Sequence, residues 1–139
     1  MGFDSDKFIG IPHRMNGDTF SSCDCIGLVR LFYKMNGWPE TFWDNGESIT
    51  KENFNTGKSW KRLFRYLNKK MEVTKDAGSL RYGAVVIFVV GGEMHLGVYV
   101  GHGMVLAMAV PVSEGKSTST LYHKRIWKLA FKRGYNRKC

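Results

Sequence analysis

The chain predicts an α+β fold, with helices first and an antiparallel sheet after them. Three observations point there: apolar residues at helical spacing after Ser21, a second amphipathic pattern over residues 60–67, and β-rich runs separated by glycine turns from Ala84 onward. At 139 residues, 43% hydrophobic and 14% aromatic, the chain is long enough for one domain with a core and too short for two. Residues 1–139 are therefore expected to form one domain.

In chain order, Phe8-Ile9-Gly10-Ile11-Pro12-His13-Arg14-Met15-Asn16-Gly17 is a short apolar approach followed by turn residues. Ser21-Ser22-Cys23-Asp24-Cys25-Ile26-Gly27-Leu28-Val29-Arg30-Leu31-Phe32-Tyr33 then reads as a loop that turns into a helix. Leu28, Val29, Phe32 and Met35 recur at helical spacing, Ser21, Ser22 and Asp24 are capping residues, and Asn36-Gly37 is a stop. Cys25 falls in the first turn. There the unpaired N–H groups and the macrodipole favour thiolate over thiol, which makes Cys25 a candidate nucleophile.

Residues 38–46 form an aromatic loop that either lines a groove or anchors on the core. Trp60, Leu63, Phe64 and Leu67 give an amphipathic helix, begun near 56–59 and ended by Asn68 or shortly after, with its basic face opposite the apolar one. Gly57-Lys58-Ser59 is not a phosphate loop, because the earlier glycine is missing and no strand precedes it.

The sheet follows. Residues 84–90 are a continuous β-branched and apolar run, Gly91-Gly92 turns it, 93–101 is a second strand and 104–110 a third. In the second strand His95, Gly97, Tyr99 and Gly101 alternate with Leu96, Val98 and Val100, so His95 projects from the less apolar face. Gly97 keeps that face low, and a helix end could approach there. His95 is thus a candidate base for Cys25. Residues 113–120 read as a flexible loop, and 121–132, with Ile126, Leu129 and Phe131 apolar, as a last strand.

A base histidine is normally oriented by a polar partner on a neighbouring strand. A two-residue turn at His102-Gly103 would put Leu106 and Met108 on the His95 face; a three-residue turn through Met104 would put Val105, Ala107 and Ala109 there. Neither register offers a polar group. The remaining donors are Glu93, His102 and His123.

Cys23 and Cys25 are too close in sequence to bridge comfortably, and three cysteines cannot all pair, so no disulfide framework is expected. Cys23, Cys25 and His95 lack the second closely spaced ligand pair of a structural zinc site, and no metal is expected. Cys139 reads as a tail thiol. The formal charge of +9 is concentrated in Lys58, Lys61, Arg62, Arg65, Lys69 and Lys70, and in a second group running from Lys124 to Lys138. It fits an anionic partner, whether nucleic acid, teichoic acid, anionic wall or an acidic subunit, or else solvated faces. No apolar run reaches transmembrane length, and the first residues lack a basic leader and an apolar signal segment.

Asp24-Cys25-x-Gly27-Leu28-Val29, followed about seventy residues later by His95-x-Gly97-x-Tyr99-x-Gly101, resembles the NlpC-type family of cell-wall cysteine peptidases. The resemblance runs from Phe8 to about Met108. The wording Asp-Cys-x-Gly-Leu-Val-Arg-Leu-Phe-Tyr is similar to the branch found as bacteriophage tail proteins. The resemblance implies a papain-like fold, no cofactor, and hydrolysis of amide bonds in peptidoglycan stem peptides, between D-glutamate and a diamino acid. It assigns catalysis to Cys25 and His95. It puts His13 where the family has a tyrosine, so that His13 and Asp24 are expected beside the oxyanion or substrate, and it puts Ala107 at the third, normally polar, position. Implied partners are peptidoglycan, other tail-tip proteins and anionic wall polymers. The implied location is the phage tail or the host wall, reached without a signal peptide. A noncatalytic tail component is the alternative. A nucleic-acid-binding module would account for the charge but leaves both motifs unexplained, and no nucleic-acid motif is present.

Overall fold

The computed structural model of the chain describes residues 5–14, 17–40, 42, 58–109 and 116–138. Parts of five sequence expectations lie outside them: residues 15–16 of the approach, 41 and 43–46 of the aromatic loop, the helix start at 56–57, residue 110 of the third strand, and 113–115 of the loop. So does Cys139.

A single turn of helix, α1 (Ser5–Phe8), leads to a two-stranded ribbon of β1 (Asp18–Thr19) and β2 (Ser22–Cys23). Helix α2 spans Cys25–Met35. Asp24 caps it: its Oδ1 accepts the Gly27 N–H at 2.7 Å. Asn36 and Gly37 end it as expected, with Gly37 at φ +73. Helix α3 (Lys58–Lys70) follows, then β3 (Met71–Thr74), β4 (Val85–Val90), β5 (Glu93–Tyr99), β6 (Met104–Met108), β7 (Ser119–His123), a helical turn α4 (Lys124–Trp127) and β8 (Phe131–Arg137). The six longer strands form one antiparallel sheet in the order β3-β8-β4-β5-β6-β7.

Both faces of this sheet are buried, which is why residues 84–90 read as an unbroken apolar run rather than an alternating one. Val85, Ile87, Leu96, Val98, Leu106 and Met108 pack under Leu28, Val29 and Phe32 of α2 and Leu63 and Leu67 of α3. Val86, Phe88, Val105 and Ala107 form a second cluster on the other face with Leu80 and Trp127.

Two sequence expectations are corrected. Residues 121–132 are not one strand. Trp127 is buried and donates its Nε1–H to the Gly103 carbonyl at 3.1 Å, and His123 Nδ1 accepts the Arg125 N–H at 3.2 Å. These bonds fold residues 124–130 into α4 and a 3₁₀ turn, so the chain crosses the sheet before β8 enters between β3 and β4. Within the expected loop, Ser117 and Ser119 are buried and paired. His13 N–H donates to Ser117 O at 2.8 Å, Gly10 N–H to Ser119 O at 2.8 Å, and Ser119 N–H to Ile11 O at 2.9 Å. Residues 10–13 therefore lie along the edge of β7 and cover it.

The same segment braces the start of α2. Cys23 N–H donates to Pro12 O and Arg14 N–H to Cys23 O, both at 3.1 Å. Gly27 meets Gly17 so closely that a Cβ on Gly27 would lie 1.7 Å from the Gly17 carbonyl oxygen.

Candidate active site

Cys25 is the first residue of α2 and is half-buried. Its sulfur lies within hydrogen-bonding reach of two backbone N–H groups, that of Leu96 on β5 and its own. Those donors lower the thiol pKa, but burial and the neighbouring Asp24 carboxylate outweigh them and push it up to about 12. Cys23, fully buried two residues earlier, is also pushed up to about 12, by burial and then by Asp24. Burial and Asp24 thus work against the thiolate that the helix position favours.

His95 occupies β5 as expected, one residue before the Leu96 N–H that faces Cys25. Leu96 points to the α2 face of the sheet. His95 points to the other, where it is 5% exposed and its ring stacks on Phe88 at 5.6 Å between centroids. Burial lowers its pKa and Glu93 opposes the shift, so the imidazole is neutral near pH 7. Among the described residues no hydrogen bond joins the Cys25 thiol to the His95 ring.

Sequence reasoning missed Phe88. A signal for it existed, since a two-residue turn at Gly91-Gly92 pairs Val90 with Glu93 and Phe88 with His95, the observed register.

The hairpin after β5 resolves the two registers left open. Gly97 faces Ala107, Val98 faces Leu106 and Tyr99 faces Val105, so Ala107 shares the His95 face and presents only a methyl group. Gly97 serves that same hairpin rather than a helix end. A Cβ there would come within 3.0 Å of Val105, Leu106 and Ala107. Of the other donors, His123 caps α4 and His102 sits at the hairpin tip with φ +54, while Glu93 shares the His95 face and acts on its charge.

His13 is 7% exposed, and its Nδ1 is the one buried side-chain nitrogen or oxygen without a partner among the described residues. Its backbone faces Cys23 in a parallel bridge. Asp24 lies next to Cys25 but as the α2 cap; as a carboxylate engaged by the Gly27 N–H, it can accept from a substrate donor and cannot donate to an oxyanion. Among the described residues no cluster of three or more His, Cys, Asp or Glu side chains is placed to hold a metal ion, and no helix is long and apolar enough to cross a membrane.

A cysteine opening a helix that packs on an antiparallel sheet, with a histidine on the strand it touches, is the arrangement of a papain-like domain. The NlpC/P60 family model matches residues 10–133, and the chain belongs to that family. Solved structures carry the same fold. The NlpC/p60 domain of the peptidoglycan hydrolase SagA aligns at TM-score 0.56 and 15% identity over 95% of this chain and 92% of that one. NlpC2 from Trichomonas vaginalis aligns at TM-score 0.60 and 14% identity over 95% of this chain and 42% of that one. An NlpC/P60 family protein from Bacillus cereus aligns at TM-score 0.54 and 15% identity over 99% of this chain and 41% of that one. The chain thus spans about two fifths of the latter two proteins. No curated protein matches it.

Proposed function

We propose that this domain is a cysteine peptidase that hydrolyses amide bonds in peptidoglycan stem peptides, at the bond between D-glutamate and a diamino acid. The observation that carries the reading is the seat of Cys25: it opens α2 with its sulfur against the β5 backbone beside His95. SagA, of the same fold, is described as a peptidoglycan hydrolase, which supports the substrate class.

The resting charges favour a neutral pair, thiol and imidazole, over an ion pair. In the reaction His95 takes the thiol proton as sulfur attacks the scissile carbonyl carbon. The Cys25 N–H and His13 donate to the oxyanion. Collapse breaks the C–N bond, His95 returns the proton to the leaving amine, and a water activated by His95 cleaves the thioester to acid and thiol. The wording of residues 24–33 supports action as a component of a phage tail, opening the wall locally.

A second reading has its own support. The unjoined Cys25 and His95, the thiol pushed up to about 12 and the methyl of Ala107 fit an NlpC-like tail component without catalysis. Release of new amino groups from purified peptidoglycan separates the two. The peptidase reading expects release by the parent protein, lost in Cys25→Ala and reduced at least about a hundredfold in His95→Ala. Absence of release by the folded parent would sink it.

A further inference from the structure

The turn between β7 and β8 exposes two large apolar side chains, and the catalytic reading does not use it. Ile126 is 63% exposed and Leu129 is 93% exposed. Three residues apart on a helical turn and its 3₁₀ continuation, they lie on the same side. Lys124, Arg125 and Lys128 are exposed around them. The turn is not a loose loop, because Trp127 is 2% exposed, bonds the Gly103 carbonyl and packs its ring 5.9 Å from Phe131 and 6.4 Å from Tyr99. Two apolar side chains are thus held out in water by a buried anchor, with three exposed cations beside them in sequence. Asp76, whose carboxylate feels the charges of Lys128 and Lys124, accepts from the Gly78 N–H and the Ser79 hydroxyl, both at 2.9 Å.

The geometry points to this turn as the place where the protein seats on an anionic lipid bilayer, with Ile126 and Leu129 entering the acyl boundary while Lys124, Arg125 and Lys128 meet lipid phosphates. A protein partner needs a broad complementary surface, on the order of 800 Å² per side, and two protruding side chains do not supply it. A fluid bilayer takes protruding side chains without matching their shape, and anionic headgroups supply the counter-charge. A soluble polyanion would engage the cations and leave Leu129 idle. The turn packs on the His95 face of the sheet, through Phe131, which pairs with Phe88. Seating there would hold that face toward the membrane. The inference does not depend on the peptidase activity.

Co-sedimentation of the full chain with vesicles tests it, using phosphatidylglycerol mixed with phosphatidylcholine against phosphatidylcholine alone. Binding is expected with the anionic vesicles only, weakened roughly fivefold by each of Lys124→Glu and Lys128→Glu and by added salt. Leu129→Asp is expected to weaken it about tenfold or more. Val73→Asp, at an exposed apolar residue on edge strand β3, is expected to leave it unchanged. All of these positions are exposed, so unchanged far-ultraviolet circular dichroism will show that the variants fold. Failure of the parent to sediment with anionic vesicles would overturn the inference and leave the turn to an acidic protein. Equal binding by Leu129→Asp would overturn it in favour of simple polyanion adsorption.

Discussion

Asp24 acts on Cys25 in two opposed ways. As the N-cap it holds the first turn of α2 and so fixes where Cys25 sits; as a carboxylate next to the sulfur it makes the thiolate harder to form. Asparagine caps about as well as aspartate but carries no charge. Asp24→Asn should therefore leave the melting temperature near its parent value and shift the pH profile of Cys25 alkylation, read on the Cys25 peptide by mass spectrometry, toward lower pH. Asp24→Ala should shift it too, at a stability cost of about 1 kcal/mol. An unshifted profile in both would remove Asp24 as a cause. The cap and the position of Cys25 at the start of α2 were legible in the sequence because both depend on local spacing. The protonation state was not, because it is set by the burial of the sulfur against β5, a contact between residues about seventy positions apart.

Among the elements, the start of α2 is the tightest. The Asp24 N–H donates to Gly17 O at 3.0 Å, and that carbonyl also fills the space a side chain on Gly27 would need. Backbone cannot rotate aside as a side chain can. Gly27→Ala should cost more than about 3 kcal/mol, visible in urea denaturation as a lower midpoint, and should loosen the seat of Cys25. A loss below about 1 kcal/mol would mean that the ribbon of β1 and β2 yields readily. Strand reading succeeded where pairing is local: β4, β5 and β6 are joined by short glycine turns and came out within two residues of their bounds. It failed where tertiary bonds override the pattern. The alternation of Ile126, Leu129 and Phe131 suggested a buried strand face, yet Trp127 is the residue that is buried. Met71–Thr74 is a short edge strand whose Val73 is exposed, so it has no apolar signature of its own.

For the molecule as a whole, the buried titratable groups define a pH window. His95 is lowered in the fold from 6.5 by burial, with Glu93 opposing. As pH falls below about 6.5 the unfolded chain takes up this proton before the folded one does, so stability declines until the folded value is passed and then levels off. At the other end Cys23 and Cys25 are raised from 9.0 to about 12, so the unfolded chain releases their protons first and stability declines as pH rises from about 9 to about 12. Thermal melts across pH should show a plateau between these limits. His95→Gln should flatten its acid side, and an unchanged acid slope in that variant would assign the decline to other groups. Family and fold class were legible at this scale because two spaced motifs specify them. That His95 and α2 lie on opposite faces of a sheet buried on both sides was not, since it depends on what covers the second face, and Trp127 and Phe131 do that from the far end of the chain.

The bracing around Cys25 also has a bearing on the order of assembly. Residues 10–13, which hold Cys23 in place, are themselves held by Ser117 and Ser119, with Ile11 and Ser119 separated by 108 positions. The last strand of the chain, β8, lies inside the sheet between β3 and β4. On the ribosome, helix α2 can therefore form early as a local structure, but its surroundings close only after the final third of the chain has emerged, through contacts of high sequence separation that are slow to form. Within these 139 residues the candidate active site is completed only by contacts from the final third, although Cys25 lies in the first quarter.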